Sequence, residues 1–588
     1  MLPGAGRIIG RVTARPLPSN EDVAAQLDLL GDLLEIEGEG SFRIAAYRRA
    51  AIRVRETAIS IAQLALDGKA KELTGIGKTI EEKIVQIVEL GEIEALTKRK
   101  ALIPADVVLF TKLPGLGPKT ARKIWQELGV TTVDELRAAA ESELLRTLGG
   151  VGPKLEAAVL KALDERGSAG PLEERRALLG DGLPAALAAV EELRAHPAAV
   201  QVSEAGSLRR RRETFKDIDL IATSTDPVAL IDFFTTLPWV LEVVTQGDTK
   251  ATVVSREGLR FDLRVVQPEA YGNLLQHFTG SREHNIQLRE DAQRRGLSIS
   301  EWGIKVEATG EVVMHGDEAG VYGLLGYAFI PPELREGGGE LAAARLDAEG
   351  RDRLPALVPY GSLRGELHCH STWSDGRATL REMVEAAMGR GYEYLAICDH
   401  SQRLHDGLLE QQAAEVAALN EQVAPFRVLR GVEVNIGANG SLDLTDDELA
   451  GLDWVLASLH SSFQKSPTER VLAAMESPHV DCIGHLTTRL INTRPPAPVD
   501  VERVVAGAAA TGTFLEINGQ PQRLDLRDTH ARLAGEAGVG IVCTSDAHST
   551  AGLAYADLAL AVARRAWLTA PQVLNTLPWA ELQGRLKG

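Results

Sequence analysis

The spacing of apolar residues divides the chain into regions of different character. Residues 21–70 read as helices rich in Ala, Leu and Ile, whereas residues 170–330 alternate β-branched runs such as IDLIATS, ATVVSRE and FDLRVVQ with helical segments. Beyond residue 360, apolar or β-branched runs recur, and a Gly, a Ser or a helical segment follows nearly every one. The pattern predicts a helical region, an α+β domain and a barrel of βα units, in that order.

Length and composition set limits on the class of protein. A chain of 588 residues predicts three to five domains, and 44% hydrophobic with 25% charged residues is typical of soluble globular proteins. Apolar runs stay well short of the roughly 18 residues that span a bilayer. The four cysteines, all beyond residue 360, are too few for a disulfide framework. We expect a cytoplasmic, nucleoid-associated monomer without a membrane partner.

One motif occurs three times before residue 170: an apolar residue, a Gly-x-Gly turn and an amphipathic helix. Such a turn exposes backbone N–H groups at a helix N-terminus, which suits a phosphate. One copy could be only a turn, but three copies with lysines close behind predict helix-hairpin-helix contacts to the DNA backbone, which position a duplex without reading its sequence. The glycines predicted to contact DNA are Gly75, Gly77, Gly115, Gly117, Gly150 and Gly152.

The net charge by itself argues mildly against nucleic-acid binding, because it is formally −18. A DNA-binding protein of this charge needs local basic patches and carboxylates occupied by metal. The segment FRIAAYRRAAIRVRE, residues 42–56, clusters five arginines and is one candidate patch. A solvated helix face is the other interpretation of the same pattern.

Three aspartates form the first candidate site. Asp217 and Asp219 stand two apart in a strand-like run, so both carboxylates share one face, and Asp262 lies on a second strand-like segment. Three converging carboxylates would hold two Mg²⁺ or Mn²⁺ ions for phosphoryl transfer. Upstream, a Gly206-Ser207 turn and Arg210 could cradle the phosphates of a nucleotide.

At these positions the sequence resembles the palm of family X DNA polymerases, the nucleotidyltransferases that include polymerase beta. The resemblance implies that Asp217 and Asp219 hold both metals, and that Asp262 helps to bind the catalytic metal and takes the primer 3′-OH proton. It also implies that Arg260 holds Asp262 in place, while Ser207 and Arg210 grip the triphosphate.

The same resemblance continues through YGNLLQHFTGSREHN, residues 271–285, which is similar to the loop that selects the nucleotide. Its implied sugar and base contacts are His277, Phe278, Gly280 and Asn285. The family usually has Tyr-Phe where this chain has His277-Phe278, which bears on discrimination against ribonucleotides. Residues 247–250, ending in Lys250, are similar to the hairpin that contacts the template.

Lys83 stands in the first helix-hairpin-helix motif, where the lyase members of the family carry a Schiff-base lysine. A lysine becomes nucleophilic when its pKa falls, and the neighbouring charges of Lys78 and Arg43 could lower it. The other lyase lysines of the family are not reproduced, so a solvated helix lysine is the rival interpretation.

Histidines concentrate after residue 360, where nine of the thirteen lie. His368 and His370 stand two apart, so on a strand both imidazoles face one way and Cys369 the other. The nine candidate ligands, six His and three carboxylates, are too many for one ion and predict two or three Zn²⁺ or Mn²⁺ ions sharing a carboxylate. They are His368, His370, Asp375, His400, Glu433, His460, His485, Asp546 and His548.

This set resembles the polymerase and histidinol phosphatase (PHP) domain, a distorted seven-stranded βα barrel with a trinuclear phosphoesterase site. In bacterial family X polymerases that domain follows the polymerase core, and the resemblance implies 3′→5′ exonuclease and related 3′-end or abasic-site activities. Three residues depart from the family pattern: Cys398, Asn435 and Leu486. None is a ligand, but Cys398 would share a strand face with His400 and could alter which metal is held.

We therefore expect a multidomain α and α+β polymerase core followed by a distorted (β/α)7 PHP barrel. The predicted parts are a tail (1–20), a helical domain with one helix-hairpin-helix motif (21–97), a fingers-like domain with two (98–169), a nucleotidyltransferase palm (170–266), a thumb-like nucleotide-selection domain (267–332), a linker (333–359) and the PHP domain (360–588).

The predicted function is gap-filling DNA synthesis from dNTPs on gapped or nicked duplex DNA, with 3′-end hydrolysis by the PHP domain. One alternative is a catalytically weak core that serves as a DNA-binding module for the nuclease. Another is a nucleotidyltransferase acting on RNA or a small molecule, paired with a metabolic phosphatase; three duplex-binding motifs disfavour it.

Overall fold

The protein divides into two compact units, residues 1–175 and residues 176–588. No described helix is long and apolar enough to cross a membrane. Parts of two predictions fall outside the residues that the structure describes: most of the predicted tail (residues 1–16 and Ser19), and Gly115, one of the glycines predicted to contact DNA. The structure, a computed structural model, describes residues 17–18, 20–57, 60–73, 75–100, 102–111, 113, 116–165 and 176–587.

The described part of the first unit is helical. Its core is built from one apolar face of each helix; in the helix that follows the first Gly-x-Gly turn, for example, Ile80, Ile84 and Ile87 are buried. The helices are α1 (Asn20–Glu37), α2 (Ser41–Glu56), α3 (Ile61–Leu66), α4 (Lys78–Leu90), α5 (Glu94–Lys100), α6 (Ala105–Phe110), α7 (Pro118–Leu128), α8 (Val133–Glu141) and α9 (Pro153–Glu165).

Two arginines of α2 are paired with carboxylates of α1. Arg48 contacts Asp32 and Glu35 of α1 at 3.1 and 2.5 Å, and Arg55 contacts Asp28 at 2.5 Å. These pairs arise because α1 and α2 pack side by side and α1 presents a row of carboxylates. The charges of Arg48 and Arg55 are therefore compensated within the helical unit.

The second unit begins with a mixed sheet of strand order β2-β4-β7-β6-β5 and a two-stranded pair of β1 with β3. Its strands β4 and β7 run parallel and its other neighbouring pairs antiparallel. The elements are β1 (Ala177–Leu178), α10 (Leu179–Arg194), β2 (Ala199–Glu204), α11 (Gly206–Arg209), β3 (Thr214–Phe215), β4 (Ile218–Ser224), α12 (Pro227–Thr235), β5 (Val240–Gln246), β6 (Lys250–Ser255) and β7 (Arg260–Val266).

A smaller group of helices with a three-stranded antiparallel sheet follows. It includes part of the segment predicted as a linker: Arg335 and Glu340 are fully buried, and Tyr327 forms a β-bridge with Arg345. This stretch is folded because its charged side chains have buried partners. The elements are α13 (Tyr271–Thr279), α14 (Arg282–Arg294), β8 (Leu297–Ser300), β9 (Gly303–Val306), β10 (Val312–Val313), α15 (Glu318–Leu324) and α16 (Glu340–Ala344).

The last region is the predicted barrel of seven parallel strands in sequence order, with strand-to-strand connections that carry helices. A parallel bridge between Cys369 and Ala547 brings its first and last strands together. The strands are β11 (Gly365–Cys369), β12 (Tyr394–Ile397), β13 (Arg427–Asn435), β14 (Trp454–Ser458), β15 (Cys482–Ile483), β16 (Phe514–Asn518) and β17 (Ile541–Thr544). The helices are α17 (Leu380–Gly389), α18 (Leu408–Val423), α19 (Asp446–Leu449), α20 (Pro467–Met475), α21 (Val501–Thr511), α22 (Asp528–Glu536), α23 (Ala556–Arg565) and α24 (Trp579–Gln583).

The mixed sheet and the barrel share one continuous apolar core. Their contact is close at Gly180, where a Cβ would lie 2.6 Å from the ring of Pro521. Arg489 of the barrel region also donates to Glu213 of the mixed-sheet region at 2.7 Å. The charges of Arg489 and Arg527 outweigh the effect of burial and lower the pKa of Glu213 to about 2.

A buried ion network ties α11 to the helical group. Glu318 accepts hydrogen bonds from Arg209 at 3.0 and 2.7 Å and from the fully buried Arg335 at 2.5 Å. Removing one member of a buried ion network leaves the other charge without compensation. The network therefore depends on Glu318 remaining a carboxylate.

Glu318→Gln is expected to lower the free energy of unfolding of the second unit by about 3–5 kcal/mol, because Arg335 would stay buried opposite a neutral amide. Urea unfolding followed by circular dichroism measures this. Glu307→Gln is the control, since Glu307 pairs with Lys305 on the surface and should contribute less than about 1 kcal/mol. Equal losses in the two variants would contradict the buried network.

Candidate functional site

The three aspartates of the mixed sheet converge as predicted. Strands β4 and β7 are parallel neighbours whose register places Asp219 beside Asp262, and Asp217 immediately precedes β4. Because alternate residues of a strand share a face, Asp217 and Asp219 project to the same side as Asp262. The result is a cluster of carboxylates at one edge of the mixed sheet.

Gly206 shows how closely the preceding turn approaches this cluster. Its φ of 63° lies in the left-handed region, and a Cβ there would sit 2.2 Å from Oδ2 of Asp219. Glycine is therefore required both for the backbone conformation and for space. The adjacent Ala205 N–H also donates to the Asp219 carbonyl at 2.8 Å, which fixes the turn against β4.

The charge of the aspartate cluster is only partly compensated by protein groups. Burial raises the pKa of Asp219 to about 7, and the negative charges of Asp262 and Asp217 add to the effect. Arg260 lies between two of the carboxylates, its Nε 3.4 Å from Asp217 and 3.5 Å from Asp262. A divalent cation among these oxygens would stabilise the ionised form, so the donor set fits such an ion.

Thr252 is a site residue that the sequence did not reveal. Its hydroxyl donates to Oδ1 of Asp262, and the register of β6 with β7 pairs the two residues. The order of the strands brings the two residues together. Nothing in the sequence around Thr252 indicates that it belongs to a site. Together, Thr252 and Arg260 fix the orientation of the Asp262 carboxylate.

A cleft of about 600 Å³ opens beside Asp219. The structure brings to it every residue predicted to contact the nucleotide, together with three that the sequence did not indicate: Arg282, Ile286 and Arg289. The predicted residues that line it are Gly206, Ser207, Arg210, His277, Phe278, Gly280 and Asn285.

Helices α13 and α14 meet at this cleft. Gly280, with φ 68°, ends α13, and Ser281 caps α14 by accepting from the His284 N–H. Asn285 then reaches back, donating to the His277 carbonyl at 2.8 Å and accepting from Gln276 at 2.8 Å. These bonds hold the two helix ends in a fixed relation.

The rings of the cleft have cationic neighbours. The His277 ring lies 3.0 Å from Arg289, and burial together with the Arg289 charge lowers the His277 pKa, which favours the neutral imidazole. The Arg264 guanidinium lies 4.5 Å from the centre of the Phe278 ring. Lys250 is exposed at the start of β6 and is not among the residues that line this cleft.

The three Gly-x-Gly turns of the first unit share one geometry. In each turn the N–H of the residue between the glycines donates to the carbonyl three residues back at 3.0 Å: Ile76 to Leu73, Leu116 to Leu113 and Val151 to Leu148. These middle residues are buried. The glycines on either side of them are exposed wherever they are described: Gly75, Gly77, Gly117, Gly150 and Gly152.

Positive φ values explain why glycine stands at two of these positions. Gly75 has φ 93° and Gly150 has φ 96°. Gly77 and Gly117 precede α4 and α7 as their N-caps, so the N–H groups of Lys78 and Thr79, and that of Lys119 behind Pro118, have no partner within their helices. Lys83 lies half-buried on α4, where its Nζ donates to Gln86 at 3.2 Å.

In the barrel, the histidines and carboxylates gather at the carboxyl ends of the strands. Their possible ligand atoms form three overlapping groups that include eight of the nine predicted residues. These are metal-binding clusters of the kind expected for several ions. The groups are His370, Asp375, His400 and His548; His368, His370 and Asp546; and His400, Glu433 and His460.

Glu433 is the central carboxylate of the barrel cluster. One oxygen lies 2.9 Å from His400, and the other lies 3.1 Å from His460 and 2.9 Å from His485. His485 is the one predicted ligand outside the three groups, and this contact joins it to them. A carboxylate with histidines on both oxygens has the arrangement needed to bridge ions.

The electrostatics of the barrel cluster favour positive charge at its centre. Burial opposes protonation of His368, but Glu516, Asp546 and Glu433 outweigh it and raise the pKa of His368 well above its usual value. Buried ring nitrogens of His368, His370 and His485 also have no hydrogen-bond partner among the described residues. Both observations fit divalent cations bound by these side chains.

Two ligand positions adopt unusual backbone conformations. His485 has φ 24° and Asp546 has φ 50°, in the left-handed region that disfavours residues with a Cβ. Such strain is maintained only where the surroundings enforce it. The His485 N–H donates to Oε2 of Glu516 at 2.5 Å, which is one such restraint.

The residues that depart from the family pattern lie outside the three groups. The Cys398 Sγ contacts the Leu367 carbonyl at 3.2 Å within an apolar cluster, and burial raises the thiol's pKa. Cys398 is therefore not among the residues grouped around a possible ion. Asn435 lies 3.3 Å from the ring of His460 as a neutral neighbour, and Leu486 is buried in the core.

Two buried carboxylates around the barrel cluster were missed. Glu516 on β16 contacts Nδ1 of His368 at 2.5 Å and accepts from Thr544 at 2.5 Å. Asp399 accepts from the Ser371 N–H at 2.7 Å and from its hydroxyl at 2.6 Å, fixing the loop that leads to Asp375. A lone acid in an apolar strand, as in FLEIN, was the available signal for Glu516.

Models of known domains match separate parts of the chain. A helix-hairpin-helix domain matches residues 18–93, a SAM-like helix-hairpin-helix tandem 107–165, the DNA polymerase beta thumb 274–336 and the PHP domain 366–519. Fold and sites therefore define the class: a polymerase-beta-like core joined to a PHP barrel. The predicted fold class is confirmed.

Relatives narrow the class to a family. The DNA polymerase/3'-5' exonuclease PolX of Bacillus subtilis (strain 168) is 37% identical over 578 residues, which is 96% of this chain and 99% of that protein. A probable phosphatase of Thermoanaerobacter sp. (strain X514) is 32% identical over 226 residues, 36% of this chain and 89% of that protein. The chain belongs to the PolX family of bacterial family X polymerases with a C-terminal PHP domain, as the motifs predicted.

Glu516→Gln is expected to weaken the binding of divalent cations by the barrel cluster about 10- to 100-fold, because glutamine keeps only one acceptor oxygen for His368, Thr544 and the His485 N–H. Competition with a chromophoric chelator measures the affinity. The matched control is Asp481→Asn, a buried carboxylate that bonds the Val455 and Lys587 N–H groups. Similar losses in both variants would mean that Glu516 acts only on stability.

Proposed function

We propose that this protein is a DNA-directed DNA polymerase that fills short gaps in duplex DNA during repair, and that its PHP domain hydrolyses phosphodiesters at DNA 3′ ends. The observation that supports this best is the pairing of two complete and separate sites. One is the aspartate cluster beside a nucleotide-sized cleft, and the other is the barrel cluster centred on Glu433.

In the palm, Asp217, Asp219 and Asp262 would hold two Mg²⁺ or Mn²⁺ ions. The ions would supply the charge that stabilises the triphosphate and the leaving pyrophosphate. Asp262 would accept the proton of the primer 3′-OH, since Thr252 and Arg260 fix its carboxylate while leaving it partly exposed.

The cleft residues would bind the incoming dNTP. Ser207 and Arg210 would contact its phosphates, because they lie on the turn that approaches Asp219. Phe278 and Asn285, fixed at the junction of α13 and α14, would contact sugar and base. A neutral His277 stands where the family usually has tyrosine, so this ring would take part in discrimination between deoxyribose and ribose.

In the barrel, the nine ligand residues would hold two or three Zn²⁺ or Mn²⁺ ions, which would supply a hydrolytic nucleophile and neutralise charge on the scissile phosphate. Glu433 would bridge ions because both its oxygens face histidines. His400, His460 and His548 are partly exposed, so they would form the side that meets the DNA end. The PHP phosphoesterase would act on 3′ ends. Abasic-site or 3′-phosphate processing would use the same metal-dependent hydrolysis of a phosphoester.

Gapped or nicked DNA would be held by the exposed Gly-x-Gly turns of the first unit. Lys78 and Lys119 are exposed directly behind two of them and would neutralise backbone phosphates. Lys83 on α4 stands at the position that corresponds to the lyase lysine of the family. Sequence-independent phosphate contacts suit a protein that must act at any gap.

Lys78→Ala is expected to reduce the slope of log K against log salt for gapped DNA by about 0.9, because one phosphate contact is lost. Fluorescence anisotropy over a range of KCl concentrations measures the slope. Lys98→Ala removes the same charge from an exposed position on α5 that follows no Gly-x-Gly turn, and its slope should match that of wild type. Equal slopes for the two variants would rule out a phosphate contact by Lys78.

The two active sites are tested with labelled primer on single-gap DNA containing Mn²⁺, with and without dNTPs. Asp219→Asn should abolish extension and keep 3′ shortening, whereas His370→Ala should abolish shortening and keep extension. The reason is that each substitution removes a ligand from one cluster only. Gel electrophoresis resolves both products.

Wild-type protein that shortens the primer but never extends it would show that the palm is a DNA-binding module for the nuclease. Extension lost in both variants would show that the sites are not separate. Extension of an RNA primer alone, with no binding to gapped DNA, would favour a nucleotidyltransferase of another substrate class.

A further inference from the structure

Arg565, the last residue of α23, lies where the barrel meets the palm. Its side chain is only 4% exposed. The helix follows the loop that carries Asp546 and His548, so it starts near the barrel's metal cluster and ends at the palm. At 1.5 Å per residue, α23 spans about 15 Å.

The guanidinium of Arg565 contacts the backbone carbonyl of Arg210, the arginine that lines the nucleotide cleft. Nη1 donates to the Arg210 carbonyl at 2.7 Å and to Oε1 of Glu336 at 2.9 Å, while Nη2 donates to Asp528 at 2.5 Å. The guanidinium is thereby fixed by three acceptors, of which Asp528 belongs to the barrel region.

Glu336 connects Arg565 to the side chain of Arg210. Its Oε1 accepts from Arg210 Nε at 3.0 Å as well as from Arg565. Burial would raise the pKa of Glu336, but the charges of Arg212, Arg210 and Arg565 outweigh it and lower the pKa to about 2. The carboxylate therefore stays ionised and holds both arginines.

Arg210 is consequently restrained at three points, its carbonyl, its Nε and its Nη1, which donates to the Thr279 carbonyl at 2.5 Å, while its guanidinium lines the cleft beside Ser207 and Asp219. An arginine that is already ordered loses less side-chain freedom when it binds a phosphate. We propose that Arg565 is a positioning residue for polymerisation: through Glu336 and the Arg210 carbonyl, the PHP domain pre-orders the side chain that receives the dNTP triphosphate. The inference rests on the proposed role of Arg210 in nucleotide binding.

Arg564 provides a matched comparison on the same helix. It also crosses from α23 to the preceding region, donating to Glu333 at 2.7 Å and to the Val358 carbonyl at 2.9 Å, with Tyr360 stacked 4.6 Å away. No hydrogen bond or ion pair between Arg564 and Arg210 is found among the described residues. Both arginines hold the two regions together, but only Arg565 contacts Arg210.

The test compares Arg565→Gln with Arg564→Gln in the full-length protein, by steady-state incorporation of one dNTP on single-gap DNA. Arg565→Gln should raise the KM for dNTP about tenfold with little change in kcat, because ordering of Arg210 affects nucleotide binding. Arg564→Gln should leave the KM unchanged. Mn²⁺-dependent 3′ shortening should be unchanged in both variants, which shows that the barrel is intact.

Arg210→Gln separates failure of this inference from failure of the proposed function. An unchanged dNTP KM in Arg210→Gln would refute the role of Arg210 itself. A raised KM in Arg210→Gln, with unchanged values in Arg565→Gln, would overturn the positioning role alone, as would equal increases in Arg565→Gln and Arg564→Gln. If Arg565→Gln does not fold, Glu336→Gln decides the question, and an unchanged KM in that variant would overturn the proposal.

Discussion

Both sites of this protein depend on carboxylates that the fold holds close together in a buried or half-buried place. In the palm, parallel pairing of β4 with β7 forces Asp219 against Asp262, and the pKa of Asp219 rises to about 7 as a result of burial and its neighbours. In the barrel, Glu433 and Asp546 share a buried centre with histidines. In the palm the carboxylates repel one another, whereas in the barrel the charges of the histidines lower the pKa of Glu433 and of Asp546; both donor sets fit divalent cations.

Three other carboxylates of the second unit, Glu318, Glu213 and Glu336, are compensated differently. Glu318 is matched by two arginines, Glu213 by Arg489, and Glu336 by three arginines. In all three cases arginine charges lower the carboxylate pKa to about 2. These three carboxylates, held by guanidinium groups, belong to the framework, whereas Asp219 and Glu433, surrounded by other acids or by imidazoles, are available to a metal.

Local spacing made much of this predictable. Residues two apart on a strand share a face, so the Asp217–Asp219 pair and the His368–His370 pair could be placed before any sheet order was known. Thr252 and Glu516 could not, because they reach Asp262 and His368 only through strand neighbours distant in sequence. The same reason applies to the arginines of α2, whose partners lie on α1, and to residues 333–346, whose buried charges make a Gly-rich segment fold.

The contacts between palm and barrel bear on how a primer end would be shared by the two sites. Withdrawing one partner of a buried ion pair is strongly destabilising, because the other charge is left uncompensated. Two such pairs, Arg489–Glu213 and Arg565–Glu336, cross the boundary between palm and barrel. Helix α23 connects the loop of His548 to the backbone of Arg210, so this helix, its ion pairs and the shared apolar core together set the spacing between the sites. If the two proposed sites share a primer end, its transfer would require movement of the DNA, since the two domains cannot approach each other without breaking these pairs.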